Sequence, residues 1–303
     1  MIAKLEMFIT LARTRHFGRA AEEVGVTQPT LSAAIRQLED TLGTLLVRRG
    51  SRFEGLSDEG ERVLVWARKI VADTRTMREE IMAAKGGLSG TVRLAVIPTA
   101  LAASARLTSR FSHNHPNVRI SIRAATSVQI LEQLVDHSVD AGLTYLDNEP
   151  LGQVRTVSLY SERYVLLTNG DIKDKYGPGR SVSWADLADL PLCLLTPDMQ
   201  NRRIIDRHLA EARVIDAPRI ESNSTIALVS HVLSGGWATI LPEQAVAPFI
   251  QSGPLVATPI VAPDIRQNVG LVVAPREPQR PVIAALLQEA RRIAAKYKAK
   301  SGS

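Results

Sequence analysis

A single cysteine, Cys193, is present in the chain, so no disulfide can form within it. The apolar run around that residue (LPLCLL) marks the thiol as a small buried hydrophobe. No stretch approaches the roughly 20 apolar residues of a membrane-spanning helix. The first fifteen residues, MIAKLEMFITLARTR, carry Lys4 and Glu6 inside their apolar run, a pattern unlike a signal peptide. The expected location is the cytoplasm. Motifs of common enzyme chemistry are also missing: there is no GxSxG elbow, phosphate-binding loop, HExxH or CxxC. His16, His113, His115, His137, His208 and His231 are scattered, and the two close ones flank Asn114 just before Pro116, at a helix end. Neither catalysis, a metal nor a cofactor is expected.

What is present is a soluble composition with ample core: 303 residues, 45% hydrophobic and 22% charged, enough for two or three domains. The formal charge of +6 permits a polyanionic partner without requiring one. Its distribution is more telling. Residues 1–52 hold eight Lys/Arg against five Asp/Glu, with Arg48, Arg49 and Arg52 clustered. Arg291 to Lys300 adds five cations at a solvated end.

The stretch RAAEEVGVTQPTLSAAIRQLEDTLG, Arg19 to Gly43, reads as two helices joined by a sharp turn. Gly25 supplies the turn's positive φ, Thr27 caps the second helix and Pro29 sits in its first turn. Leu31, Ile35, Leu38 and Leu42 then recur as one apolar stripe. The opposite face carries Pro29, Ala33 and Arg36, flanked by Thr30, Ser32 and Gln37, small or hydrogen-bonding groups that can enter a major groove. Residues 2–14, with Leu5, Phe8, Ile9 and Ala12, form a helix behind these two. TLLVRRGSRFEGLS (44–57) reads as a hairpin wing whose arginines follow the sugar–phosphate backbone. A helical hairpin inside an unrelated core is the bland alternative, and the basic wing speaks against it.

Ser57 caps a long helix to about Lys85, in which Val63, Ala67, Ile70, Thr74, Met77, Ile81 and Ala84 alternate in steps of four and three. That seam suits pairing with a second copy; packing on its own domain is the alternative. Gly86, Gly87 and Gly90 follow as a joint. From Thr91 short strands alternate with helices: VRLAVI (92–97), NVRISIR (117–123), helix 127–137 and VDAGLTYL (139–146). A second such unit runs from ERYVLLT (162–168) through LCLLT (192–196), helix 202–212, PRIESN (218–223), helix 225–233 and WATILP (237–242). VGLVVAP (269–275) and helix 281–298 return to the first. The expected fold is α/β, with parallel strands in two lobes, two crossovers near 163 and 268, and a cleft between the lobes.

Taken together these pieces resemble the LysR-type transcriptional regulators over essentially the whole chain. The resemblance rests on Phe8, Ala20-Ala21, Val24, Thr27-Gln28-Pro29-Thr30, Leu31-Ser32, Ile35, Leu38-Glu39, Leu42-Gly43, Leu45-Leu46, Arg48-Arg49 and Gly60, and on VDAGLTYLDNEPLG and SGGWATILPE further on. Ala33, where the family often has a polar or basic side chain, and Leu46-Val47, where Leu-Phe is usual, depart from the pattern. The overall texture looks most like regulators encoded beside formate dehydrogenase operons. The resemblance implies a winged helix–turn–helix over 1–57 and a linker and dimerisation helix over 58–90. It also implies a two-lobed, periplasmic-binding-protein-like effector domain over 91–303, with lobe I at 91–163 and 269–303 and lobe II at 164–268.

For DNA, the expected groove contacts are Gln28, Thr30, Ser32 and Arg36, with Pro29 and Ala33 in close apolar contact with bases. Thr27 acts mainly as a cap, and Arg48, Arg49, Ser51 and Arg52 hold the phosphates. For an effector, the resemblance places a ligand in the cleft. Hydroxyls and free amides there favour a small anion, a carboxylate such as formate: Thr99, Ala100, Thr126 and Ser127 at strand-to-helix junctions, and Tyr145, Thr196 and Asn223 at strand ends. Simple capping is the alternative for each Ser and Thr. The expected partners are promoter DNA, the effector, further copies of the chain as a dimer of dimers, and RNA polymerase. A solute-binding module and an effector-independent nucleoid binder are the competing functions.

Overall fold

The structure, a computed structural model, describes residues 1–49, 53–169, 179–214, 217–251 and 253–301. The chain divides into two compact units: Met1–Gly87 makes up most of one, and Leu88–Val135 with Val139–Ser303 the other.

The first unit opens with α1 (Ile2–Thr14), α2 (Phe17–Val24) and α3 (Gln28–Leu42). Helix α2 starts two residues earlier than its apolar pattern suggests, because His16 caps it by accepting the Arg19 amide at 3.2 Å. It ends at Gly25, whose φ of 72° lets the cap amide turn back onto Ala21 and Glu22. Leu5, Phe8, Leu11, Ala20, Ala21, Leu31, Ile35 and Leu38 form the core, so Leu11 outranks the expected Ile9 and Ala12. Leu42 leaves the expected stripe and is 43% exposed. Its place is taken by Glu39, which turns inward and accepts the amides of Leu46 (3.0 Å) and Val47 (3.3 Å) at the start of the wing. A buried carboxylate is tolerable here because it satisfies two backbone donors that would otherwise be stranded.

The wing is a two-stranded antiparallel hairpin, β1 (Val47–Arg49) and β2 (Phe53–Leu56). Helix α4 (Asp58–Gly86) follows, capped by Ser57 and with Asp58, Glu59 and Glu61 in its first turn, where acidic groups favour the helix dipole. A Cβ on Gly60 would lie 2.1 Å from the carbonyl oxygen of Leu46, so only glycine lets the wing close onto this helix. The expected seam of α4 divides. Val63 and Ala67 pack on the unit's own core, whereas Ile70, Met77 and Ile81 are exposed along with Val65, Trp66 and Met82.

In the second unit the first three strands behave as expected. β3 (Gly90–Val96) pairs in parallel with β4 (Val118–Ala124) and β5 (Ala141–Tyr145), connected through α5 (Leu101–Asn114) and α6 (Ser127–Val135). Gly142 lets α6 approach β5, since a Cβ there would sit 2.3 Å from Ile130. Asp140, nearly buried, accepts from Arg93 (2.8 Å) and Arg280 (2.5 Å). Burial alone would raise its pKa, but the two guanidiniums win and hold the carboxyl below its ordinary value.

The sheet is mixed rather than parallel, because both crossovers are long antiparallel strands. β6 (Arg155–Thr168) begins seven residues before the apolar ERYVLLT run, and β12 (Arg266–Val273) pairs with it from Arg266↔Arg163 to Val273↔Arg155. β12 also pairs with β5. The far end of β6 holds the second lobe, pairing with β10 (Ala238–Pro242) and β11 (Val256–Val261), the latter joined to β7 (Val182–Ser183). β8 (Cys193–Leu195) and β9 (Ile220–Ser222) run in parallel beside these, with α7 (Gln200–Glu211), α8 (Thr225–Leu233) and α9 (Glu243–Ile250) as cover. The terminal α10 (Pro281–Ser301) packs on β6.

Candidate functional site

On the winged unit, α3 presents Gln28, Pro29, Thr30, Ala33, Arg36 and Gln37 to solvent, with Ser32 half-buried. The arrangement follows from the helix period, since Leu31, Ile35 and Leu38 anchor the opposite side at full burial. Thr27 caps the helix by accepting the Thr30 amide at 3.3 Å, and its hydroxyl also lies 2.8 Å from that of Thr30. The Thr30 hydroxyl is thus shared with the cap. Arg48 on the wing forms an exposed 2.8 Å pair with Asp58, an interaction worth at most about 1 kcal/mol in water and readily exchanged for a phosphate. Arg49 belongs to β1, but its side chain, like Ser51 and Arg52, lies outside the described residues.

The second candidate site lies between the two lobes of the other unit. A pocket there is lined by Ile97, Pro98, Thr99, Ser127 and Tyr145 from one lobe and Leu195, Met199, Gln200 and Asn201 from the other. It encloses about 10 Å³, the room of one water molecule. Thr99 and Tyr145 lie 3.3 Å apart through their hydroxyls, and the Asn201 side-chain amide donates to the Tyr145 hydroxyl at 3.4 Å. The carbonyl oxygen of that amide is buried without a hydrogen-bond partner among the described residues.

Of the expected effector residues, Thr99, Ser127 and Tyr145 come together, and Ala100 is buried one residue beyond Thr99. Thr126 is a cap: it accepts the Gln129 amide at 3.2 Å while the Gln129 side chain accepts its own at 3.1 Å. Thr196 and the exposed Asn223 stand outside the lining. The second lobe contributes instead the first turn of α7, MQN at 199–201. That turn follows β8 just as Thr99 follows β3, a strand-to-helix junction whose polar pair was the available signal.

Near Tyr145 lies a buried polar group that sequence reasoning missed. Glu162, 4% exposed, sits on β6 opposite Gln267, between Tyr160 and Tyr164 along its own strand. Neither carboxyl oxygen has a hydrogen-bond partner among the described residues. Burial pushes its pKa up to about 8, and the Tyr145 hydroxyl, near it but outside hydrogen-bonding geometry, offsets this only in part. Below that pH the acid near Tyr145 carries no charge.

The chain matches two family profiles, the "Bacterial regulatory helix-turn-helix protein, lysR family" over residues 2–61 and the "LysR substrate binding domain" over residues 85–295. It is 30% identical over 282 residues to the DNA-binding transcriptional dual regulator OxyR of Escherichia coli K12, covering 92% of this chain and 91% of that protein.

The chain belongs to the LysR family.

Its relatives in this LysR family are transcriptional regulators, not enzymes. A probable hydrogen peroxide-inducible genes activator from Streptomyces viridosporus is 29% identical over 302 residues, covering 96% of this chain and 94% of its own. Among solved structures, full-length OxyR from Pseudomonas aeruginosa matches with a TM-score of 0.73 at 26% identity, over 97% of this chain and 94% of that one. Full-length CbnR, in complex with its target DNA, matches with a TM-score of 0.69 at 20% identity over 97% and 100%, a likeness of fold. The winged helix–turn–helix and the two-lobed α/β domain are those of a LysR-type DNA-binding regulator that responds to an effector. No described helix is long and apolar enough to cross a membrane.

Proposed function

We propose that this LysR-type regulator reads promoter DNA with α3 and is switched by a small carboxylate bound between the lobes of its second unit. The observation that carries the reading is the convergence of donors from both lobes, Thr99, Ser127, Gln200 and Asn201, near a buried acid, Glu162, whose pKa is pushed up to about 8. At the DNA, Gln28, Thr30, Ser32 and Arg36 contact base edges, Pro29 and Ala33 pack against them, Thr27 holds the helix start, and Arg48, Arg49, Ser51 and Arg52 hold phosphates. Pairing along Trp66, Ile70, Met77 and Ile81, apolar groups exposed on α4, would join two copies. The effector domains would join the pairs, and the ligand would alter the spacing of the winged units and so access for RNA polymerase. The domains would divide at 57–58 and 90–91, with lobe II spanning 164–268.

Peroxide is the alternative effector suggested by relatives named as peroxide-inducible activators. It fits this chain poorly. Cys193 is fully buried, burial pushes its thiol up to about 11, and the chain has no second cysteine to close a disulfide with. The deciding experiment is a titration of the promoter fragment beside the protein's own gene at fixed salt, with and without formate, other small carboxylates and peroxide. Sequence-selective binding that one acid shifts in affinity or footprint is the expected result. Binding that no acid moves, or that peroxide alone moves, sinks the carboxylate reading.

A further inference from the structure

The segment that follows β5, residues 146–149, forms a strap hydrogen-bonded to pocket-lining residues of both lobes, beginning with the Leu146 amide on the Asn268 carbonyl. The Asp147 carbonyl accepts from the Gln200 side chain at 2.9 Å, and the Asp147 carboxylate accepts the Asn268 amide at 2.8 Å. Asn148, in the left-handed region at φ 71°, donates to the Gln267 side chain. Glu149 goes furthest. One carboxylate oxygen accepts from Nε (2.9 Å) and Nη2 (2.5 Å) of Arg203 on the second lobe, and the other accepts from the Ser127 hydroxyl (3.2 Å) on the first. Arg203 is itself fixed, because its Nη1 donates to the carbonyls of Asp198 (2.7 Å) and Pro197 (3.3 Å).

Three features make this more than a surface ion pair. Two donors of the guanidinium, Nε and Nη2, converge on one carboxylate oxygen as charge-assisted hydrogen bonds, which leaves the other oxygen for a second partner. The carboxylate completes its coordination on a pocket-lining serine in the first turn of α6. The pocket is also lined by Asn201, whose side-chain carbonyl oxygen is buried without a partner among the described residues; turned over, that amide would place an N–H there instead.

We propose that Glu149 is an internal ligand: its carboxylate occupies the position between Arg203 and Ser127 that an effector's carboxylate takes, and so holds the cleft shut. This rests on the carboxylate reading of the effector given above. Effector binding is then an exchange of one carboxylate for another, with Arg203 and Ser127 as the shared donors. The charge on Arg203 remains matched throughout, so the exchange strands no guanidinium. Once displaced, Glu149 loosens the segment, and the lobes lose one of their bridges, the charged one, while the Gln200–Asp147 bond remains.

The test uses the full-length chain with Glu149→Gln and Arg203→Gln. Both residues are part-exposed, so both variants should fold. Hydrogen exchange reports closure without a ligand: in Glu149→Gln the amides of 146–149 and 200–204 should exchange at least tenfold faster than in the wild type. Unchanged exchange overturns the latch. Calorimetry with formate, acetate, succinate and benzoate at pH 7 reports the exchange of ligands. The acid that binds the wild type should bind Glu149→Gln about tenfold more tightly and Arg203→Gln at least tenfold more weakly. An acid that binds the wild type but binds Glu149→Gln equally or less tightly overturns the internal-ligand proposal while leaving the carboxylate reading intact. If no acid binds either protein, the carboxylate reading itself falls and the exchange of ligands with it.

Discussion

The exposed face of α3, proposed above to read DNA, and the cleft use the same kinds of side chain in opposite ways. On α3 the polar groups face water, and with the exception of Thr27 and Thr30 they are not engaged with one another. The cleft turns its polar groups inward and spends them on each other: Thr99 on Tyr145, Asn201 on Tyr145, Ser127 and Arg203 on Glu149. A DNA surface of this kind is ready on arrival, and its affinity comes from contacts added. A cleft of this kind must break hydrogen bonds before it makes any, so only a ligand that replaces them in kind is favoured.

The contrast can be broken most severely at the base of the wing. Gly60→Val should push the Leu46 carbonyl away, destabilise the winged unit by about 3 kcal/mol, the upper end for overpacking, and abolish DNA binding. The second unit should keep its own unfolding transition in calorimetry. A variant that still binds promoter DNA normally would show that the wing closes on α4 in some other way.

A second effect, at the buried acid near Tyr145, depends on pH. Glu162 keeps its proton in the folded chain up to about pH 8, whereas an unfolded carboxyl loses it near 4.5. Between those values the folded state binds the extra proton, so stability falls by about 1.4 kcal/mol for each unit of rising pH. The contribution is complete below 4.5 and gone above 8. Glu162→Gln should therefore remove much of this slope, and its gain over the wild type should widen from pH 5 to pH 8 in denaturant melts. Parallel curves would mean that Glu162 is already ionised.

On the reading helix, Arg36→Ala should cost about 1–3 kcal/mol, the range of a good base contact, and should relax selectivity between operator and random DNA. Equal loss on both sequences would move Arg36 to the backbone. The smallest effect is expected at the wing. Arg48→Ala should weaken all DNA alike and reduce the salt slope by about one. An unchanged slope would leave Arg48 in its pair with Asp58.

Legibility followed the same division. The solvent-facing residues of α3 were readable because the helix period fixes its exposed face once Leu31, Ile35 and Leu38 are buried on the other side. Leu42 misled for a tertiary reason: the wing returns to α3 at Glu39 rather than at the helix end, and two stranded amides draw the carboxylate inward. In the cleft, Thr99, Ser127 and Tyr145 were legible as ends of strands and starts of helices. Thr196 and Asn223 obey the same rule and miss the pocket, because α7 begins at Gln200 and puts its own first turn there. Strand β6 was half read, since its first residues, RTVSLYS, lack a continuous apolar run and are held by pairing with β12.

By itself the sequence determined what depends on neighbours along the chain: the helix–turn–helix, the cap at Thr27, the long helix from Ser57, the alternation of strands and helices, and the absence of a disulfide. Those features need only local periodicity, backbone conformation and a count of thiols. Tertiary structure alone decided that Glu162 is a neutral buried acid and that Glu149, Ser127 and Arg203 meet across the cleft. Such groups lie 22 and 54 residues apart along the chain. Their partners are set by how β6 and β12 join the lobes and by how α6 packs beside β5, neither of which is local in sequence.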